Sequence, residues 1–361
     1  MQKITRRTGI KGAIGAMAAT GLTEGAARRT APSGKPGIKF ALMNGSEPSH
    51  VTRVGKQIGV DYAISGVSGV LSRTERSNYE AALAKVKADF ASSGVTVAGV
   101  ESHPVPAEKI KLGIDGRDEE IENYISAIRA LSNVGIPVLC YNFMAGLSWY
   151  RTTTTAKGRG GALVTVFDNK EAVKQGLTKW GEISEDKMWD NISYFLKAVI
   201  PEAQKANIKM ALHPDDPPLS PLRGIGRIVT SAKNYRRIMD MAPSPVNGIT
   251  FCQANFVAMG EDVEALAKEW LKQKKIFFVH FRDIRGNREY IEETFHDEGS
   301  TDMARMLEVY HQNGFDGPLR PDHAPTLDGA ANDKPGYALE GKVFAIGYFK
   351  GIMQGKNLPY A

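Results

Sequence analysis

The sequence predicts a (β/α)8 barrel. Short, nearly continuous apolar runs recur eight times past residue 37, and stretches with helical spacing separate them. Side chains capable of acid–base or metal chemistry gather at the C-terminal ends of those runs, the face on which such a barrel carries its active site. The runs are Ile38–Gly45, Tyr62–Gly69, Val95–Ser102, Ile136–Phe143, Ile208–Asp215, Gly248–Asn255, Ile276–Asp283 and Gly317–Pro325. Each has the length of a strand, and continuous apolarity suits a strand buried on both faces. The amphipathic stretches Asn78–Ser92, Asp118–Leu131, Asp186–Lys205, Val263–Leu271 and Asp302–His311 supply helices between them, and Ser184 is a plausible cap for the third. An open doubly wound sheet is the rival architecture, but no Gly-x-Gly-x-x-Gly follows an early strand.

The first 37 residues stand apart from this rhythm. A basic start, a weakly apolar stretch from Gly12 to Leu22 and small residues at Gly25–Ala27 give the layout of a secretory signal. The Arg6-Arg7 pair resembles a twin-arginine export signal, which implies an exported, periplasmic protein, with a cytoplasmic one the alternative. The Thr-, Ser-, Gly- and Pro-rich stretch that follows reads as a linker, so the division expected is 1–37 signal and linker, 38–361 catalytic barrel. That first segment is too short and too rich in Gly and Ala for a stable membrane span.

Composition narrows the function classes. The chain has 361 residues, is 42% hydrophobic and 24% charged, and carries a formal net charge of +6. With no basic cluster interleaved with aromatics, a nucleic-acid partner is not expected. Two cysteines, Cys140 and Cys252, cannot build a disulfide framework.

The run ends carry the chemistry. Glu101 closes the third run and Asn142 the fourth, His213 and Asp215 the fifth, Cys252 the sixth, His280 with Arg282 the seventh, Asp322 with His323 the eighth. His213, Cys252, His280 and Asp322 form a mixed nitrogen, sulfur and oxygen donor set for manganese, iron, cobalt or zinc in preference to magnesium or calcium. His323 and Tyr337 suit proton transfer. Arg151, Arg223, Arg227, Arg282 and Arg320 offer planar forks for a carboxylate substrate. A metal, a carboxylate clamp and an acid–base pair fit proton loss beside a carboxylate followed by departure of a β-hydroxyl, which is a dehydratase. Without a leaving hydroxyl the same parts give an isomerase or epimerase, and without catalysis a sugar-acid binding protein.

The motifs "CYNFM" (Cys140–Met144), "WYRT" (Trp149–Thr152), "HPDDPP" (His213–Pro218), "HFR" (His280–Arg282), "RPDH" (Arg320–His323) and "PGY" (Pro335–Tyr337) resemble the mannonate dehydratase family. The resemblance runs in order from about Val95 to the C-terminus. It implies a xylose-isomerase-like barrel that converts D-mannonate to 2-dehydro-3-deoxy-D-gluconate and water with one Mn2+ or Fe2+, in hexuronate catabolism. It places metal ligands at His213, Cys252, His280 and Asp322 and acid–base residues at His323 and Tyr337. Substrate contacts are expected at Glu101, Asn142, Trp149, Arg151, Asp215, Arg227 and Arg282. Barrels of this kind often assemble, so a homo-oligomer is expected. The chain departs from the family where the second run, "ISGVSGVLS", has no His-His pair and where Gln253-Ala254-Asn255 replaces Thr-Gly-Ser.

Overall fold

A computed structural model describes residues 37–361; the proposed signal and most of the linker lie outside the described residues. Twelve strands follow in chain order: β1 (Lys39–Asn44), β2 (Tyr62–Ser65), β3 (Thr96–Val100), β4 (Val138–Tyr141), β5 (Thr153–Lys157), β6 (Leu163–Asp168), β7 (Lys209–Leu212), β8 (Asn247–Cys252), β9 (Ile276–His280), β10 (Ile284–Asn287), β11 (Tyr290–Glu293) and β12 (Pro318–Arg320). Eight of them close a parallel barrel in the order β1-β12-β9-β8-β7-β4-β3-β2, and these eight are the eight apolar runs. β2, β4, β8 and β9 are buried at every position, because helices cover their outer faces and side chains from other strands meet their inner ones.

The barrel interior is a packed layer containing Ala41, Tyr62, Ile64, Ala98, Val138, Cys140, Ala211, Phe277 and Phe278. Large rings need small neighbours at this radius. Gly248 supplies one such gap, since a Cβ there would lie 2.5 Å from the Phe277 ring. The larger core lies outside the strands, against the helices. Helix Glu185–Lys205 begins where Ser184 accepts a hydrogen bond from the Lys187 amide, and its buried face carries Met188, Ile192, Phe195, Leu196 and Val199 at helical spacing.

Two insertions at the C-terminal face build a structure the apolar pattern does not announce. One lies between β4 and β7 and contributes β5 and β6; the other follows β9 and contributes β10 and β11. They join as an antiparallel sheet in the order β10-β11-β6-β5. β5 is "TTTAK" with no fully buried position and β10 is "IRGN" with three exposed ones, so neither reads as a core strand. The sheet carries Glu293, at the end of β11, toward the barrel mouth.

Candidate active site

Four consecutive staves of the barrel, β7, β8, β9 and β12, end in His213, Cys252, His280 and Asp322. A strand that stops in a polar residue on this face delivers it to the axis, and four neighbouring strands deliver four donors to one point. One donor atom from each lies within 4.8 Å of all the others. His213 Nε2 is 3.1 Å from His280 Nδ1, His280 Nδ1 is 3.7 Å from Asp322 Oδ2, and Cys252 Sγ is 3.8 Å from the same oxygen.

These donors fit a divalent transition ion. His213 Nδ1 lies 2.7 Å from the Pro214 carbonyl, so it carries the proton and leaves the Nε2 lone pair facing inward. His280 Nε2 is buried without an aligned hydrogen bond, with Glu101 Oε2 3.3 Å away, which directs its Nδ1 to the same centre. Burial lowers the His213 imidazolium and keeps the ring neutral. Burial alone would raise the Asp322 carboxyl, but His323, Arg320, His280 and Arg282 outweigh it and hold the group well below the usual carboxylate range. Arg320 Nη1 is 2.9 Å and Arg282 Nε 2.7 Å from its oxygens. Asp322 is therefore an anion ready to face a cation.

Beside this quartet stands a chain of three groups. His323 Nε2 is 3.1 Å from the Tyr337 hydroxyl, and His323 Nδ1 is 2.8 Å from Glu293 Oε1. Glu293 closes β11, on the inserted sheet. Burial would raise its carboxyl, but His323, Arg151 and Arg282 hold it far below the usual range, so it stays an acceptor for His323 Nδ1–H. That bond fixes the tautomer with a free Nε2 lone pair, to which Tyr337 donates. Burial pushes the Tyr337 phenol well above its ordinary value, so it is protonated at neutral pH. Tyr337 reaches this place through Gly336, at φ +81, where a Cβ would crowd the His323 ring at 3.2 Å. Trp149 packs on the other side, its ring 4.8 Å from that of His323.

A cavity of about 160 Å³ opens over both groups. Glu101, Asn142, Trp149, His213, His280, Asp322, His323 and Tyr337 line it, and so do Ser102, Ser148, Asp216 and Arg320. A larger groove of about 580 Å³ lies on the outer helices between Leu196 and Pro243. Its polar side chains are Lys197, Gln204 and Lys205, with no histidine, cysteine or carboxylate among them, so the smaller cavity is the candidate site.

Four expected substrate contacts, Arg151, Asp215, Arg227 and Arg282, lie behind this wall instead of on it. The reason is charge pairing that spacing cannot reveal. Arg151 lies 2.6 Å from Asp216 and 2.5 Å from Glu293, and Arg282 lies 2.6 Å and 2.9 Å from the same two carboxylates. Asp215 accepts from Arg227 at 3.3 Å and from the Val229 amide at 2.8 Å, and Arg227 also holds the carbonyls of Leu147 and Ser148. Arg223 is spent on the carbonyls of Gln175, Gly176 and Leu177. Arg320 does line the cavity, yet Glu101 takes its fork at 2.5 and 2.7 Å. Sequence reasoning missed Glu293 as a site-builder. Asp216 had a signal in the "HPDDPP" stretch, whereas Glu293 had none.

The family model described as D-mannonate dehydratase (UxuA) matches residues 61–179 and 170–358. The chain belongs to the mannonate dehydratase family. It is 33% identical over 297 residues to the mannonate dehydratase of Streptococcus agalactiae serotype Ia, covering 75% of this chain and 84% of that one. It is 35% identical over 296 residues to mannonate dehydratase 2 of Halalkalibacterium halodurans, covering 74% and 85%. The crystal structure of the mannonate dehydratase from Streptococcus suis serotype 2 superposes with a TM-score of 0.79 at 28% identity, over 88% of this chain and 96% of that one. A xylose isomerase domain protein from Planctomyces limnophilus shares the barrel alone, at a TM-score of 0.57 and 13% identity. Membership makes this chain a sugar-acid dehydratase of a metal-dependent family.

Proposed function

We propose that the chain converts D-mannonate to 2-dehydro-3-deoxy-D-gluconate and water, with His213, Cys252, His280 and Asp322 holding one Mn2+ or Fe2+. The observation that carries this reading is the placement of a protonated phenol and a carboxylate-bound imidazole on the same small cavity as the four-donor cluster. Thiolate and imidazole beside a carboxylate favour a transition ion over magnesium or calcium. The chemistry supplied at the quartet, when a divalent cation is bound, is positive charge beside the substrate carboxylate, which makes the adjacent C–H more acidic.

The chain's own groups handle the protons. His323 accepts the α-proton at Nε2, its Nδ1–H held by Glu293 so that the incoming charge is answered at once. Tyr337 gives its proton to the β-hydroxyl, which leaves as water when the C–O bond breaks, and the resulting enol becomes the keto acid. Trp149 closes the cavity against His323 and keeps bulk water off the imidazole. Glu101 and Asn142 face the substrate from β3 and β4. Arg151, Arg227, Arg282 and Arg320 are already paired to carboxylates, so none of them is free to clamp the acid group, and substrate orientation falls to the cavity's neutral polar groups and the bound cation.

The test is a panel of aldonates with metal-stripped protein reloaded with Mn2+ or Fe2+ under reducing conditions, read as 2-keto-3-deoxy acid. Product from D-mannonate supports the reading. Product from another aldonate only keeps the mechanism and moves the substrate, and isomerised sugar without loss of water overturns it. The Arg6-Arg7 start supports export as part of the same proposal; recovery of the full chain in the cytoplasmic fraction alone would sink that part.

A further inference from the structure

Lys342 is a buried cation that the mechanism above does not use. It is the fourth residue of helix Leu339–Gly355, and the residue is 4% exposed. It makes no hydrogen bond or ion pair among the described residues. Its ammonium instead lies 4.3 Å from the centre of the Tyr337 ring. Three conditions oppose a cation in this position. Burial removes its water, the first turn of a helix presents the positive end of the backbone dipole, and Arg320 and Lys334 add like charge. Methionine or leucine would fill the same space without these penalties, so packing does not explain the choice.

We propose that Lys342 is a positioning residue for the dehydration, its ammonium lying against the Tyr337 ring and stabilising the phenolate left when Tyr337 gives its proton to the departing hydroxyl. The geometry suits that role. A cation over the face of a phenol ring interacts weakly while the ring is neutral and strongly once it carries negative charge. The stabilisation therefore grows along the reaction, which is the condition for raising kcat instead of lowering KM. Segment order helps, because Tyr337 and Lys342 flank the helix start. Gly341 lets that start press against the Ala324–Pro325 loop beside His323, for a Cβ there would lie 2.4 Å from the Pro325 carbonyl.

The charged groups around Lys342 are few. Lys334 approaches from the preceding loop, Arg320 and Asp322 from the end of β12, and Glu101 from the end of β3. Burial, with Arg320 and Lys334 adding to it and Asp322 and Glu101 opposing, draws the ammonium down to about 7. Lys342 is thus charged or neutral within the working range of an ordinary enzyme.

The proposal rests on Tyr337 acting as the acid, and its test separates the two ideas. Lys342→Met is expected to lower kcat by about ten- to hundredfold, part of what a general acid contributes, with KM changed less than about twofold. Lys342→Arg is expected to recover most of that loss. Because arginine does not titrate, the fall in kcat on the alkaline side of neutrality should also disappear in that variant. Lys342→Met with unchanged kcat, or a Lys342→Arg profile identical to the parent's, would overturn the proposal. Where no aldonate is turned over, lysine side-chain NMR of the metal-free protein still decides it. The Lys342 resonance, assigned by its loss in Lys342→Met, should titrate at lower pH in Tyr337→Leu, because the ring that favours its charge is gone. An unchanged or raised titration there counts against coupling between the two side chains.

Discussion

Two polar assemblies lie within one barrel mouth and are built on opposite rules. In the network of Arg151, Asp216, Arg282 and Glu293, each carboxylate lies within 2.9 Å of both guanidinium groups. In the quartet of His213, Cys252, His280 and Asp322, one donor atom from each residue lies within 4.8 Å of all the others. The first assembly is internally neutralised and holds the loops in place. The second has its lone pairs turned inward and is completed by something positive. Buried charge alone is therefore a poor guide to a binding site; what marks this one is convergence, since Asp322 meets Arg320 and Arg282 yet still gathers with three other donor side chains at one point.

The largest effect should come from breaking the quartet. Cys252→Ala is expected to lose bound metal, read by elemental analysis, together with more than about a thousandfold in activity, since a bound ion contributes several kcal/mol to charge stabilisation. Cys140→Ser, in the barrel interior beneath it, should keep the metal. Tyr337→Phe comes next: kcat should fall by about 10²–10⁴ with metal content intact. Glu293→Gln would sharpen the contrast from the other side. It leaves Arg151 and Arg282 short of a partner, and about 3–5 kcal/mol of stability should be lost in urea unfolding, alongside a fall in kcat from a loosened His323. Asp215→Asn is milder, at about 1–3 kcal/mol, with activity per folded molecule nearly unchanged because Asp215 does not reach the cavity. Ser184→Ala, remote from both assemblies, should cost about 1 kcal/mol through loss of its cap. A Glu293→Gln protein that lost metal would show the two assemblies to be coupled.

The same contrast explains what was legible in the sequence. The eight barrel strands announce themselves because burial on both faces demands runs such as "IFFVH" and "NGITFC". The inserted sheet does not, because "TTTAK" is an edge strand with no buried position and "YIEE", though paired on both sides, buries only two of its four residues. Strand-end position was enough to gather His213, Cys252, His280 and Asp322 as candidates, since the fold dictates where those ends point. Arg151, Arg227 and Arg282 looked like a carboxylate clamp because a sequence names a charge without naming its partner. Glu293 was invisible for the complementary reason: a glutamate on a short polar hairpin is ordinary until the fold carries it to His323.

The inserted sheet also bears on how the molecule comes into being. The bond from Thr165 to Glu293 joins residues 128 positions apart, and that from Arg151 to Glu293 joins residues 142 apart. Contacts of such separation carry a large loop-closure entropy, which the barrel offsets by bringing both insertions to one face. A chain emerging from the ribosome has β11 made before Asp322 and His323, so proton-handling geometry matures only when the last barrel strand is in place and both insertions have found each other. Refolding followed by backbone signals should run ahead of the recovery of activity.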